Sequence, residues 1–457
     1  MNFETLIRFQ QGPGGQVNFH LEHPSYWPDN YDHRILSANP QAGSLALLNA
    51  ARVPEGAVAS AGQELFLALC KHDAVKSQLQ ATLSTAGAAG LRPIGLQVES
   101  ADADSLPWEA LSDGQKFFAL NQWPVARLIG PKVKDLVKNY IFEPPLRLGV
   151  VLGASSSQPA SHISASDEWR SLRRAVESAG AALSLEILVL AAETDVIAEI
   201  GQSGLRVKAM AIRSRLQLEQ ELREFRPNLL HFFCHGVSDR NPYLRLSTAL
   251  DWDTTADGSI VLEAEDLRQQ IDPKQEAWIV VLNCCESAGG SVVAREVRNL
   301  AATLIRKGFP AVLGMRESVD SQNARLLAEQ FYKDVFEHLA QMPRDDQPQS
   351  IDWPSLLVRG RLGLRDRCAP SARPNAAADT KEWTIPAVYM RTEEFLLKRI
   401  NPRADLTPEQ RAKLRAEIQT LQGSRETVQN MPLPETDKQQ MLDKIDTQIR
   451  LKTDQLK

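Results

Sequence analysis

From residue 146 onward the chain alternates short apolar runs with longer amphipathic stretches, and this alternation limits the fold more than any other feature. The runs 146–152, 183–190, 229–234, 277–283 and 310–315 are mostly apolar over consecutive positions rather than apolar only at every second one, with Arg147, Ser184, Glu186 and His231 as polar interruptions. The stretches 167–180, 213–225, 291–308 and 321–340 carry helical spacing; Gly180 and Gly308 close the first and third, and Pro227 follows the second. Continuous apolar strands separated by helices indicate a parallel sheet buried on both faces. The expectation is an α/β sandwich, with 383–390 as its last strand.

The flanks read differently. Near the start, Val17, Phe19 and Leu21 alternate with polar residues after a Gly-Pro-Gly-Gly turn at 12–15, which predicts a β-hairpin extension over residues 1–60. Residues 61–83 have helical spacing through Leu65, Leu69 and Val75. Cys70 is expected to pack on that helix and His72 to face solvent. A stretch rich in Ala, Pro and Ser at 369–380 resembles a linker. In the tail, Thr407, Pro408 and Gln410 form a capping-box pattern, and Leu414, Ile418 and Leu421 make one apolar stripe. Met441, Ile445 and Ile449 make a second, so residues 401–457 are predicted to form an α-helical hairpin. Two short helices are marginal alone. Their stripes are expected to pack on each other, on the main domain, or on a partner protein or second copy through residues 405–457.

With 457 residues, 43% hydrophobic and 24% charged, the chain is long enough for a sizeable core. A net charge of −5 without a basic stripe argues against nucleic-acid binding. No apolar run approaches the roughly 20 residues that span a bilayer, and the N-terminus lacks the pattern of a signal peptide. Five cysteines without framework spacing fit a reducing cytosol, so a cytoplasmic location is expected.

Histidine and cysteine are crowded at two places. His231, Cys234 and His235 lie within or just after the run 229–234, and Cys284 and Cys285 follow the run 277–283. Three explanations compete: a metal site, ordinary polar residues of a buried strand, or two halves of a catalytic dyad. Metal binding is the weakest, because His231 and His235 would stand about 13 Å apart on an extended strand. The vicinal cysteines also lack the two-residue gap of zinc knuckles. His231 reads as a buried strand histidine. Functional groups of an open parallel sheet gather past the carboxyl ends of its strands. His235 and the cysteines would share that edge, where an imidazole can take a thiol proton and the thiolate can attack a carbonyl.

His235 precedes Cys285 by 50 residues. Together with the stretches 106–111 (LPWEAL), 146–157, 229–236, 279–290, 308–319, 328–335 and 383–390, in that order, this resembles the CHAT-domain proteins, caspase-like cysteine peptidases of bacteria related in fold to caspases, separases and gingipains. The resemblance implies a caspase-like three-layer α/β sandwich with a mostly parallel sheet over residues 61–395. It implies His235 and Cys285 as the catalytic pair, with the backbone N–H groups of Gly236 and Cys285 as an oxyanion hole. Cys284 stands where the family usually has a small alanine. The implied activity is endopeptidase cleavage of a specific protein partner, which a neighbouring gene can encode, in bacterial antiviral defence or programmed cell death. An activator protein is a further expected partner, and no metal or cofactor is expected. The alternative is a non-catalytic caspase-like scaffold that recruits partners through its helical tail.

Two side features complete the expectations. Glu317 and Asp320 lie on the loop after 310–315, and as substrate-pocket residues they would favour Arg or Lys before the scissile bond. For Asp320 a helix N-cap is the competing role. Trp108 and Glu109 are expected to be structural, the acid tying down a backbone, and Trp383 and Tyr389 to belong to the core.

Overall fold

The structure, a computed structural model, describes residues 3, 5–22, 33–50, 53–84, 90–132, 139–155, 164–203, 205–237, 241–273, 276–284, 299–343, 347–368, 376–400, 408–431 and 435–456. Its strands are β1 (Thr5–Gln11), β2 (Val17–Leu21), β3 (Arg34–Ile35), β4 (Ile94–Val98), β5 (Val125–Ile129), β6 (Asn139–Phe142), β7 (Leu146–Leu152), β8 (Leu185–Ala191) and β9 (Val207–Ala211). They continue with β10 (Leu229–Phe233), β11 (His235–Val237), β12 (Tyr243–Leu246), β13 (Ile260–Glu263), β14 (Ile279–Asn283), β15 (Ala311–Met315), β16 (Gln349–Ser350), β17 (Pro386–Arg391) and β18 (Leu396–Arg399).

Among the described residues, one sheet of 12 strands runs in the order β3-β2-β1-β4-β5-β17-β15-β14-β10-β7-β8-β9. From β15 to β9 all neighbours are parallel. From β1 to β17 they are parallel as well. The two blocks meet at the antiparallel pair β15–β17. Every residue of β10, β14 and β15 is buried, as the continuous apolar runs require of strands covered on both faces. The helices Ala165–Ala179 and Ser321–Gln341 pack together, and Ala264–Gln270 neighbours both Arg215–Phe225 and Leu300–Arg306. This is a three-layer α/β sandwich with a mostly parallel sheet.

Local chemistry sets the helix ends. Ser164 caps Ala165–Ala179 by accepting from the Asp167 N–H at 3.2 Å, and Gly180 closes it at φ 53°, a backbone region that favours glycine. The hairpin read at 1–60 forms between β1 and β2 and extends the central sheet, because β1 pairs in parallel with β4.

The helical stretch at 61–83 differs from expectation. It is two helices, Ala57–Leu69 and Asp73–Ser84, broken at Cys70–His72. His72 is 4% exposed rather than solvated, with its ring 5.8 Å from that of Phe19. The break turns the chain inward and carries the imidazole under the β1–β2 hairpin, an effect that helical periodicity alone cannot register.

The chain divides into two compact units, the first comprising Met1–Tyr140, Pro145–Met342 and Gln349–Leu397 and the second Ile141–Pro144, Pro343–Pro348 and Lys398–Lys457. The second unit holds the predicted helical hairpin, Pro408–Gln429 and Glu435–Leu456, whose helices pack on each other. Arg425 donates to Asp446 and Lys452 to Glu417, both at 2.6 Å across the pair. Leu414, Ile418 and Leu421 are half-buried, and so are Ile445 and Ile449. Met441 is 42% exposed, and Leu442 takes its place in the half-buried row. Thr407 lies outside the described residues. No described helix is long and apolar enough to cross a membrane.

Candidate active site

The site is built where β7, β10, β14 and β15 end at one edge of the sheet. β10 runs buried through His231, and Cys234 follows it, also buried. At His235 the backbone leaves the central sheet and starts β11, the first strand of a small antiparallel sheet β11-β12-β13. This exit lifts His235 to a half-buried position at the edge, whereas His231 stays enclosed between the layers. The two histidines therefore occupy different environments. Among the described residues no group of three His, Cys, Asp or Glu side chains is placed to hold a metal ion.

The His235 imidazole has a defined hydrogen-bond partner. Its Nε2 accepts from the backbone N–H of Ser155, on the loop after β7, at 3.3 Å. Ser155 is itself anchored, since its Oγ donates to the Ala256 carbonyl at 2.9 Å. Burial pushes the His235 pKa below its ordinary value and outweighs the Ser155 backbone hydrogen bond, which raises it; Arg245, its partner across the β11–β12 ladder, acts with burial, and Asp257 opposes.

β14 ends beside β10, with Asn283 in register with Phe233. The next residue, Cys284, is 3% exposed. Cys285, the predicted nucleophile and second oxyanion donor, lies outside the described residues, as do Glu286 and Ser287. Gly236, the other predicted oxyanion donor, is half-buried in β11 opposite Leu244.

Beneath the edge is a polar cluster that the sequence did not announce. Glu168, 0% exposed on the helix Ala165–Ala179, accepts from Asn283 Nδ2 at 2.8 Å. The same oxygen stands 3.0 Å from His231 Nε2. Tyr332, from Ser321–Gln341, places its ring 5.7 Å from that of His231, and burial, with Glu168 nearby, pushes its phenol pKa far up. The only sequence signal was an acid three residues into a helix whose spacing turns that position inward.

Of the two pocket candidates, Asp320 is the N-cap of Ser321–Gln341 and accepts from the N–H groups of Gln322 at 2.9 Å and Asn323 at 3.3 Å. Glu317 accepts from Lys381 Nζ at 2.6 Å. Both carboxylates are therefore already engaged.

Trp108 and Glu109 are fully buried, and Trp108 Nε1 donates to the Ala103 carbonyl at 2.7 Å. Contrary to expectation, Glu109 does not tie down a backbone; it receives a two-pronged hydrogen bond from the Arg127 side chain at 2.9 and 2.8 Å. Arg127 then reaches the carbonyls of Asp104 and Leu106 and the Asp104 carboxylate. Burial acts to raise the Glu109 pKa, but Arg127 outweighs it and the carboxyl lies below its ordinary range. Tyr389 donates to Asp104 at 2.8 Å, and Trp383 is enclosed, so both are core residues.

A mostly parallel sheet, covered on both faces, that brings a histidine and a cysteine-bearing strand end to one edge defines a three-layer α/β sandwich with a candidate site at the carboxyl ends of its strands. The family model of the CHAT domain matches residues 61–345, and the chain belongs to the CHAT-domain family. Among solved structures it is similar to one described as a protease, at 9% identity and TM-score 0.37, covering 70% of this chain and 68% of that one. It is also similar to the Saccharomyces cerevisiae separase–securin complex, at 12% identity and TM-score 0.31, covering 74% of this chain and 18% of that one. A third similarity is to caspase-1 from Spodoptera frugiperda, at 9% identity and TM-score 0.26, covering 59% of this chain and 96% of that one. A comparison with curated proteins gives no match.

Proposed function

We propose that this protein is a cysteine endopeptidase in which His235 and Cys285 form the catalytic pair. The observation that carries the reading is the position of His235. It leaves β10 at the carboxyl edge, beside β14, whose last residue is two positions before Cys285. In the reaction, the Cys285 thiol proton passes to the His235 imidazole and the thiolate sulfur attacks the scissile carbonyl carbon. Backbone N–H groups of Gly236 and Cys285 receive the developing oxyanion. As the tetrahedral adduct collapses, the imidazolium gives its proton to the departing amine, and water then hydrolyses the thioester.

The substrate is a specific protein partner, and the biological setting is a bacterial defence or programmed-death pathway. Family membership supports that setting. The helical hairpin at Pro408–Gln429 and Glu435–Leu456 is the proposed docking element for an activator or a second copy. Glu317, whose side chain is 38% exposed, is the better placed of the two acids to meet a basic residue before the scissile bond, since Asp320 is spent on its cap.

The test is a fluorogenic peptide panel and the protein products of neighbouring genes, each incubated with the full chain and with Cys285→Ala. Cleavage abolished by the substitution supports the reading. Cleavage that survives it overturns the reading.

A further inference from the structure

We propose that Cys234 and Cys284 are a redox pair that closes to an intramolecular disulfide under hydrogen peroxide and so cross-links the ends of β10 and β14. This pair lies beyond the peptidase reading and needs neither Cys285 nor the His235 ring.

Strand register brings the two cysteines together. β10 and β14 are parallel neighbours, with His231 opposite Val281 and Phe233 opposite Asn283. Cys234 and Cys284 are the next residue on each chain. Neighbouring strands lie about 4.8 Å apart, inside the roughly 4.4–6.8 Å between Cα atoms that a disulfide spans.

The faces of the sheet agree with the register. His231 on β10 and Asn283 on β14 both meet Glu168 of the helix Ala165–Ala179. That face therefore takes the odd-numbered positions of both strands. Alternation gives the opposite face to Phe232 and Leu282, and one step further to Cys234 and Cys284. The two side chains are thus directed to the same side of the sheet. Cys234 is 6% exposed and Cys284 is 3% exposed, and neither is disulfide-bonded in this structure. The residue before each is anchored. The Phe233 carbonyl accepts from the Gly153 N–H at 2.9 Å, and the Asn283 amide donates to Glu168 at 2.8 Å.

The chemistry closes with peroxide as the oxidant. One cysteine, as its thiolate, attacks a peroxide oxygen. The O–O bond breaks, leaving a sulfenic acid and a hydroxide that takes up a proton to become water. The second thiol loses its proton and its sulfur attacks the sulfenic sulfur. The S–O bond breaks and a second water departs. Two thiols and one peroxide thus give one disulfide and two waters, with sulfur oxidised and peroxide reduced. Enclosure favours the internal partner, because a bulky thiol such as glutathione has to reach a buried sulfur to cap it, whereas the neighbouring cysteine is already there. In a reducing compartment the pair rests as two thiols, and dithiol reductants reopen it. Cys234 directly precedes the point where the backbone leaves the central sheet for β11, so the closed form ties that exit to the end of β14.

The test uses the full-length protein carrying Cys285→Ala, which removes the vicinal thiol as a competitor. The protein is freed of reductant, treated with hydrogen peroxide, blocked with an alkylating reagent and digested without reduction for tandem mass spectrometry. The expected product is a cross-linked peptide pair joining Cys234 to Cys284, lost on treatment with dithiothreitol. Cys234→Ser and Cys284→Ser, each added to the same background, should abolish it. If either serine variant does not fold, the alanine variant at that position carries this arm. Sulfenic or sulfinic acid at either cysteine without the cross-link would overturn the proposal. So would a link to Cys70 or Cys368, a link between two copies of the chain, or two unmodified thiols after Cys70 has been oxidised. In the wild-type chain a dominant Cys234–Cys285 link would overturn the assigned partner. No arm reads cleavage, so failure of the peptidase reading is distinguishable from failure of the redox pair.

Discussion

Asn283 Nδ2 donates to Glu168 Oε1 at 2.8 Å, and this bond ties the last residue of β14 to the helix Ala165–Ala179, 115 positions earlier in the chain. Both side chains are buried. The bond fixes the strand end that leads into the cysteine pair, so it belongs to the stability of the site edge as well as to the core.

Glu168→Ala removes the acceptor and leaves the Asn283 amide enclosed without that partner. An unsatisfied buried group costs about 1–3 kcal/mol, so a loss of that order in urea unfolding is expected. Glu168→Gln keeps an acceptor oxygen at the same reach and should recover much of it. Equal losses in the two variants would show that the hydrogen bond is not what Glu168 contributes.

Asp352 predicts a pH dependence of stability. Burial raises its pKa from 3.8 to about 6, against the hydrogen bonds it accepts from Ser355. A carboxyl with a raised folded pKa binds its proton more tightly in the folded state than in the unfolded chain. The folded state is favoured by the proton below 3.8, and that advantage is lost as pH rises towards 6. At neutral pH the ionised group costs on the order of 2–3 kcal/mol. Asp352→Asn, which keeps an acceptor for Ser355, should therefore be the more stable protein at pH 7.5 and should flatten the decline between pH 4 and 6. Parallel pH profiles for the two proteins would exclude Asp352 as the source.

The sandwich was legible in the sequence where burial on both faces writes itself as a continuous apolar run, as in β7, β10, β14 and β15. β5 was not legible, because it carries Arg127 at its centre. That guanidinium is buried only because Glu109 and Asp104 reach it from the turn before, and single-strand patterning does not report long-range pairing. β9 escaped for the opposite reason, being a half-exposed edge strand with a lysine and no continuous run. At the site, His235 was legible because it follows an apolar strand. Ser155 was not, since its contribution is a backbone N–H, which any residue but proline supplies. His72 shows the same limit: a polar residue in a stretch of helical spacing reads as solvated until its neighbours are known.

The adjacent thiols give a sharper test. Cys284 is 3% exposed at the end of β14. Successive residues of an extended strand point in opposite directions, so only one of two adjacent thiols is expected to face His235. Cys284→Ala should retain most of the cleavage and most of the labelling by iodoacetamide, while Cys285→Ala should lose both. A dead Cys284→Ala protein with an active Cys285→Ala protein would shift the register by one residue and transfer the nucleophile to Cys284.

Substrate preference turns on Glu317. Its carboxylate is held by Lys381 at 2.6 Å, and Lys381 Nζ also donates to the Leu48 carbonyl at 2.8 Å. A basic substrate side chain would have to replace one charged partner with another, and Lys381 would keep its backbone acceptor. Asp320 has no such freedom, because releasing it uncaps the helix Ser321–Gln341, which costs about 1 kcal/mol. The prediction is therefore asymmetric. Glu317→Ala should lower kcat/KM for peptides with Arg or Lys before the scissile bond by about 10- to 100-fold, the equivalent of a charged hydrogen bond worth about 1.5–3 kcal/mol. Asp320→Ala should lower the melting temperature while leaving the preference intact. Lys381→Ala should relax the competition and lower KM for basic peptides. A peptide library that selects Asp or aliphatic residues at that position would remove Glu317 from the pocket and leave Lys381–Glu317 as a structural ion pair.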